Sequence, residues 1–188
     1  TRGITAGSPW NSTSTPAIYI SARDIHEIPQ WPVKVVFLEE KNYPILRFYP
    51  AIKSGNYLGN MLAKKDAEVA GAFEPVFVNR DGHITECAIR NIFFIKGEYL
   101  HTPALELGVL PGVIRDTIME LARLRGLKVR ESMIIQDELS DMDEAFISST
   151  GVGVLPVTWE GFTSTYKQSQ ILREDLIKLF DSGESYVT

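Results

Sequence analysis

Residues 51–70 read AIKSGNYLGNMLAKKDAEVA, and this stretch carries most of the information about the fold. From Ser54 onward its apolar residues recur every three or four positions, which is the spacing of one face of an α-helix. That apolar stripe consists of Leu58, Met61, Leu62 and Val69. Gly71 follows as a typical C-terminal cap. The pattern therefore predicts a helix, with Lys53 placed just before it.

After this helix, two strand pairs follow one another. Residues 74–86 read as strand, turn and strand, because Asp81-Gly82 supplies the backbone conformation of a tight hairpin turn. Residues 91–102 repeat the arrangement around Lys96-Gly97-Glu98. The two hairpins predict an antiparallel, meander-like stretch, in which Glu86 ends a strand.

The remaining segments supply more strands and two further helices. The pattern predicts strands at residues 33–38, 127–130 and 144–150, a helix from Pro111-Gly112 to Gly126, and a C-terminal helix at residues 169–180. The last helix should bury Ile171, Leu172, Leu176, Leu179 and Phe180. Locally paired strands with helices between the hairpins favour an α+β domain.

Composition excludes several classes of function. With 188 residues and 44% apolar content, the chain can bury a real core as one domain. A net charge of -5 without a basic block argues against a nucleic-acid partner. The single cysteine, Cys87, indicates a reducing compartment, and we expect a cytoplasmic protein. Three scattered histidines predict no metal site, and no apolar run is long enough to predict a membrane span.

The wording of these segments resembles the class IV aminotransferases, the fold type IV group of pyridoxal phosphate (PLP) enzymes. The resemblance rests on the sequence KSGNYL at 53–58, on LAK at 62–64, on Glu86, and on NIF at 91–93. It implies the large domain of the D-amino-acid aminotransferase-like fold, a barrel-like mixed sheet wrapped by helices. Residues 1–16 would end a small domain and form the interdomain link, and 17–188 would form the C-terminal PLP-binding domain. The small N-terminal domain itself would be absent.

The resemblance also implies which residues would hold the cofactor. Lys53 would be the Schiff-base lysine, in a setting made apolar by Ala51, Ile52 and Leu58. Glu86 would pair with the pyridine nitrogen and keep it protonated, so that the ring can accept electrons. Tyr57 would donate a hydrogen bond to the ring hydroxyl.

The phosphate would lie where a helix begins, because free backbone amides and the helix dipole favour an anion. The backbone amides of Val113 and Ile114 would be the donors, although the family usually has a threonine where this chain has Ile114. Thr150 would add a hydroxyl. It belongs to a second phosphate-side loop, which the resemblance places at residues 147–151 and 154–157.

Arg2 and Gly151 would contact the substrate. Arg2 resembles the arginine that holds the substrate carboxylate in the D-amino-acid branch, where a guanidinium suits a carboxylate. The partners would then be a small amino acid, a 2-oxo acid and a second copy of the chain in a homodimer.

Three functions stay open at this point. Transamination between an amino acid and a 2-oxo acid is favoured, because residues 53–58 are worded like the aminotransferases. A 4-amino-4-deoxychorismate lyase, which eliminates pyruvate to yield 4-aminobenzoate, is the alternative, since Glu86-Cys87 is closer to that relative. An inactive domain fragment is the third reading.

Overall fold

The structure is a computed structural model, and it describes residues 16, 18–22, 24 and 27–183. This part of the chain contains eight strands and three α-helices. The strands are β1 (Val33–Glu39), β2 (Glu74–Val78), β3 (Ile84–Cys87), β4 (Asn91–Lys96), β5 (Tyr99–Pro103), β6 (Lys128–Ser132), β7 (Glu144–Ser149) and β8 (Gly153–Thr158). The helices are α1 (Leu58–Val69), α2 (Val113–Leu124) and α3 (Lys167–Ser182). Short 3-10 helices lie at Glu40–Asn42, Leu105–Leu107 and Gln136–Asp141.

The described strands form one mixed sheet in the order β3-β2-β1-β8-β7-β4-β5-β6. The neighbours β1–β2, β1–β8 and β5–β6 are parallel, and the other pairs are antiparallel. This confirms the predicted α+β fold with a mixed sheet and helices packed against it. Both predicted hairpins are present, but the continuous meander is wrong. β3 lies at the edge of the sheet and β4 pairs with β7. Helices α1 and α2 are crossovers that join the parallel pairs β1–β2 and β5–β6.

The sheet buries a separate apolar cluster on each face. Successive side chains of a strand point to opposite faces, so on β4 Ile92 and Phe94 join one cluster while Phe93 and Ile95 join the other. Helices α2 and α3 cover the second cluster. By the same alternation, Asn91 on β4 and Ser148 on β7 lie on the face that α2 covers. These two residues are direct partners across the strands.

Helix α1 turns a different face to the core from the one that its sequence suggests. It begins at Leu58 rather than Ser54 and buries Gly59, Ala63 and Ala67. The predicted apolar stripe points outward, and its members are between 43% and 83% exposed. A Cβ on Gly59 would lie 2.6 Å from the carbonyl oxygen of Pro44, so only the small-residue face fits this closely against the chain.

The chain after β7 also differs from its prediction. Residues 154–157, which were expected in a loop, belong to strand β8 between β7 and β1. Helix α3 begins two residues earlier than predicted, because the buried Glu144 carboxylate accepts the backbone N–H of Gln168 and Ser169, each at 2.8 Å. That cap comes from β7 and is invisible in the local sequence. Within the helix, Leu172, Leu176 and Leu179 are buried as predicted, whereas Phe180 is exposed.

Candidate active site

A cavity of about 330 Å³ opens where four parts of the described chain meet. The parts are the segment that leads into α1, the turn between β3 and β4, the segment that leads into α2, and the end of β7. Its lining includes six residues that the resemblance assigns to the cofactor: Lys53, Tyr57, Glu86, Val113, Ile114 and Thr150. The fold therefore brings together side chains that are as far as 97 positions apart in the sequence, counting from 53 to 150.

Lys53 is an exposed residue of the cavity lining. Its Nζ donates a hydrogen bond to the hydroxyl of Tyr57 at 3.1 Å and lies 5.3 Å from the centroid of that ring. The predicted apolar setting is wrong for two of its three members, because Ile52 is 64% and Leu58 62% exposed. α1 rests on its small-residue face, which leaves Leu58 outside. Tyr57 is therefore the described contact that orients the amine.

Glu86 is the penultimate residue of β3, lies at the cavity wall and is held through both carboxylate oxygens. Oε1 accepts a charge-assisted hydrogen bond from Nη1 of Arg47, and Oε2 accepts the backbone N–H of Leu110 at 3.1 Å. Burial raises the pKa of the Glu86 carboxyl above its usual value, and Arg47 and the Leu110 amide act against that rise. Each oxygen has a further lone pair, so the carboxylate can still accept a donor from a ligand.

Leu110 links this carboxylate to the start of α2. Its N–H goes to Glu86, and its C=O accepts a hydrogen bond from Nδ2 of Asn91 at 2.9 Å. The next two residues are Pro111 and Gly112, which leads into α2 as its N-cap. Asn91 thus fixes the backbone of the segment that leads into α2.

The N-terminus of α2 presents free backbone amides to the cavity. The first main-chain hydrogen bond of the helix joins Asp116 N–H to Gly112 C=O at 3.0 Å. The N–H groups of Val113, Ile114 and Arg115 precede it and have no position to bond within the helix. The Ile114 side chain packs into the core with Ile118, which explains an apolar residue at this position.

Ser148 belongs to the segment 147–151 that the resemblance assigned to a phosphate-side loop, but sequence reasoning did not single it out as a cofactor residue. It is 1% exposed, it lines the cavity, and among the described residues its Oγ has no hydrogen-bond partner. The signal was available, because strand alternation from the buried Phe146 places Ser148 on the side of α2. Thr150 follows as an exposed lining residue. Gly151, predicted to contact substrate, follows Thr150 in the turn but is not part of the lining.

A buried ion pair supports the turn between β3 and β4. Glu74 is fully buried and accepts the N–H of Ile89 at 3.0 Å and a guanidinium hydrogen bond from Arg90 at 2.5 Å. Lys64 lies 3.5 Å from the same carboxylate. Burial raises the pKa of the Glu74 carboxyl, and Arg90, the Ile89 amide and Lys64 oppose the rise. Arg90 lines the cavity, so Glu74 positions a cavity wall without reaching the cavity itself.

Other predictions concern regions or groups outside this cavity. Arg2 lies outside the described residues, as does nearly all of the predicted link at 1–16. In the parts of the chain that the structure describes, no three His, Cys, Asp or Glu side chains gather as metal ligands would. None of the helices formed by those residues combines the length and hydropathy needed to cross a bilayer.

Comparison with known proteins gives one consistent family. The family model described as amino-transferase class IV matches residues 1–159. The D-alanine aminotransferase of Listeria monocytogenes serotype 4b is 41% identical over 107 residues, which are 57% of this chain and 37% of that enzyme. The chain thus spans less than half the length of this curated relative.

Solved structures share the fold. The branched-chain amino acid aminotransferase of Thermobaculum terrenum, solved in its PLP form, matches with a TM-score of 0.71 and 25% identity, over 82% of this chain and 52% of that one. A Legionella pneumophila protein provisionally named 4-amino-4-deoxychorismate lyase matches with a TM-score of 0.70 and 26% identity, over 85% of this chain and 59% of that one.

Proposed function

The chain belongs to the class IV aminotransferase family, and from that premise we propose that its cavity binds pyridoxal 5′-phosphate and supports transamination between an amino acid and a 2-oxo acid. One observation carries the proposal. The same cavity is lined by an amine, Lys53, a carboxylate, Glu86, and the N-terminal turn of α2. These groups suit the aldehyde, the ring nitrogen and the phosphate of that cofactor.

The polar atoms at the start of α2 and at the end of β7 support binding of the cofactor's phosphate at this end of the cavity. The amides of Val113 and Ile114 begin a helix of twelve residues, whose dipole favours an anion at this end. Ser148 adds a buried hydroxyl without a partner among the described residues, and Thr150 adds an accessible one. A buried polar atom normally finds a partner, so an anion at this place would satisfy Ser148 as well as the helix.

The remaining groups take distinct roles. Bound here, pyridoxal phosphate would supply an electron sink for the substrate's α-carbon. Lys53 Nζ would take the proton from that carbon and deliver it to the cofactor's former aldehyde carbon, with Tyr57 holding the amine in place through its hydroxyl. Glu86 would keep a ring nitrogen protonated, because an ionised carboxylate favours a cationic neighbour.

Lys53→Ala is expected to abolish site-specific labelling by PLP. The protein is incubated with PLP, reduced with borohydride and digested, and the modified lysine is mapped by mass spectrometry. Wild type should carry the label at Lys53. Lys65→Ala removes an exposed lysine of α1 that does not line the cavity, and it should label like wild type. Label spread over many lysines, or equal labelling of the Lys53→Ala variant, would contradict the proposal.

The lyase remains a second candidate because of the Legionella relative and the Glu86-Cys87 pair. Cys87, however, is buried in the apolar cluster with Ile84, and burial raises the pKa of its thiol well above the usual value. Packing therefore explains the cysteine at position 87, and Cys87 does not discriminate between transamination and the elimination of pyruvate. The aminotransferase wording of residues 53–58 keeps transamination ahead. The proposed location is the cytoplasm, which suits a free buried thiol and which cell fractionation would test.

We also propose that two copies associate through the apolar rim of the cavity. Large apolar side chains are exposed on the segment before α1 and on α1 itself: Leu46, Phe48, Tyr49, Ile52, Leu58, Met61 and Leu62. A contiguous exposed apolar surface marks an interaction site more often than a solvated face. A second copy is the partner that the family resemblance implies.

Analytical ultracentrifugation should give the mass of two chains for wild type. Replacing Met61 and Leu62 together by glutamate should shift the population to one chain, because charges would be buried unpaired. Ile177→Glu is the matched control, since Ile177 is an exposed apolar residue of α3 away from the cavity. A monomeric wild type, or an unchanged mass in the double variant, would refute the proposed dimer.

A further inference from the structure

Arg47 has an unusually complete set of partners for a residue in a connecting segment. Its Nε and Nη2 donate to Oε1 of Glu40 at 2.9 and 2.7 Å, and Nη2 also lies 3.2 Å from the hydroxyl of Thr85. Nη1 donates to Glu86. The side chain is only 18% exposed, and those of Glu40 and Glu86 are 12% and 14% exposed. One guanidinium thus bridges two carboxylates that are shielded from water.

The stem of Arg47 is fixed by packing as well. The guanidinium carbon lies 5.7 Å from the centroid of the Phe77 ring. Gly108, in the segment that leads into α2, lies close to this stem, and a Cβ on Gly108 would lie 2.9 Å from the Cβ of Arg47. Gly108 has a φ of +75°, so both its conformation and its close approach require glycine. The guanidinium therefore has little freedom to leave Glu86.

The geometry of the triad formed by Glu40, Arg47 and Glu86 suits arginine rather than lysine at position 47. The planar guanidinium donates to Glu40 from Nε and Nη2 and to Glu86 from Nη1. The ammonium group of a lysine is a single point charge and could not donate in this geometry. Glu86 receives Arg47 on one oxygen and the Leu110 amide on the other, which fixes the carboxylate plane at the cavity wall. Each oxygen retains a lone pair for one more donor.

The charges of the triad leave room for one cation. Two ionised carboxylates around one guanidinium carry a net charge of -1, in a place where burial penalises unbalanced charge. Glu40 adds to the rise in the pKa of Glu86 that burial causes, while Arg47 lowers it. The described charged groups that act on Glu86 are thus Arg47 and Glu40, and the cationic side chains of Lys53 and Arg90 line the same cavity. A cationic ligand atom at Glu86 would bring the cluster to neutrality.

We propose that Arg47 is a positioning residue which, braced by Glu40, holds Glu86 aligned and ionised, so that the site selects a protonated ring nitrogen. Arg47 acts through Glu86 and would not itself contact the ring. The inference deepens the proposed function and rests on it for the identity of the ring.

The first test needs no cofactor. Glutamate carboxyls labelled with ¹³C are titrated by NMR in wild type and in Arg47→Met, and the Glu86 signal is assigned by its loss in Glu86→Gln. Removing the guanidinium should raise the pKa of Glu86 by roughly 1–3 units, the usual influence of an adjacent opposite charge. Arg125→Met is the control, because Arg125 forms a two-bond contact with Asp175 on the surface, outside the cavity lining. An unchanged Glu86 titration in Arg47→Met would overturn the proposal.

The second test separates positioning from mere support of the fold. Equilibrium affinity is measured for PLP and for 1-deaza-PLP, in which a C–H group replaces the ring nitrogen. Wild type should prefer PLP, and Arg47→Met should reduce that preference about tenfold or more, since one pKa unit corresponds to a tenfold change in an equilibrium. A purely structural role would weaken both ligands equally and leave the preference unchanged, which would refute positioning.

If Arg47→Met does not fold, Arg47→Lys replaces it in both tests. That variant keeps one charge but loses the planar fork, and it should show a smaller shift and a smaller loss of preference. If wild type binds neither ligand, the proposed function fails, while the titration alone still confirms or refutes the action of Arg47 on Glu86.

Discussion

Gly59→Ala is expected to lower the free energy of unfolding by about 2 kcal/mol or more, the range for overpacking a tight contact. The new Cβ would lie 2.6 Å from the carbonyl oxygen of Pro44 and 2.7 Å from its carbonyl carbon. Both atoms are backbone, so neither can rotate away. In an open helix the same change would gain roughly 1 kcal/mol, because alanine is the better helix former. The expected sign is therefore the opposite of the helix-propensity rule.

Thermal and urea unfolding measure this effect. A loss of about 2 kcal/mol corresponds to a fall of roughly 4–8 °C in Tm for a chain of this size. Gly55→Ala is the matched control, because an added Cβ there meets no heavy atom within 4 Å. That variant should stay within about 0.5 kcal/mol of wild type. Equal stability of the two variants would show that α1 is not seated on Pro44 as closely as the distances state.

The Gly59 contact also bears on the site. Pro44 precedes the segment that carries Arg47 and Lys53, and α1 begins at the end of that segment. The contact between Gly59 and Pro44 thus joins the two ends of the segment 44–59, which forms one wall of the cavity. A displaced α1 would move the Arg47 guanidinium away from Glu86, so loss of stability and a change in the Glu86 titration should occur together.

The sequence alone predicted the parts of this molecule that depend on local periodicity. The Asp81-Gly82 turn, the start of β4 at Asn91 and the cap of α2 at Gly112 all follow from residue types within a few positions. The burial of α1 did not follow, because it depends on Gly59 meeting Pro44, which are fifteen positions apart. An apolar stripe shows which face of a helix avoids water, but it does not show whether the partner is the core or another molecule.

The candidate site likewise contains residues that local sequence patterns predicted and one that they did not. Lys53 and Glu86 were found through a family resemblance in short motifs, and the structure lines one cavity with both. Arg47 was missed because its carboxylate partners lie 7 positions before and 39 positions after it, and no spacing rule joins them. Charged triads of this kind are created by the fold, since Glu40 follows β1 and Glu86 lies in β3, and only the folded sheet brings these two strands to either side of β2.

Gly112→Ala is expected to impair the anion end of the cavity. Gly112 has φ and ψ of -74° and 135°, which any residue adopts, so glycine is not required there by backbone conformation. It is required by space, because a Cβ would lie 2.2 Å from Oδ1 of Asn91. Asn91 would have to turn away and give up its hydrogen bond to Leu110 C=O. Leaving a buried polar group unpaired costs about 1–3 kcal/mol.

The same change should weaken binding of PLP by about tenfold or more, since 1.4 kcal/mol of lost alignment corresponds to a factor of ten in affinity. The reason is the path from Asn91 through Leu110 to α2, whose first amides would leave their place at the cavity. Isothermal titration of PLP into wild type and Gly112→Ala measures the loss. An unchanged affinity would mean that the amides of Val113 and Ile114 do not hold the phosphate.

A double-mutant cycle identifies the cause. Asn91→Ala removes the amide group that the new Cβ would strike, so Gly112→Ala should cost little stability in that background. The double variant is expected to unfold at nearly the same urea concentration as Asn91→Ala alone, giving an interaction energy of about 1 kcal/mol or more between two residues in contact. Strict additivity would place the damage away from the Asn91 side chain, because the other close atom, the Arg115 Cβ at 3.5 Å, makes only an ordinary van der Waals contact. Asn91 would then retain its hydrogen bond to Leu110, and the link from Glu86 to the anion end would not depend on Gly112.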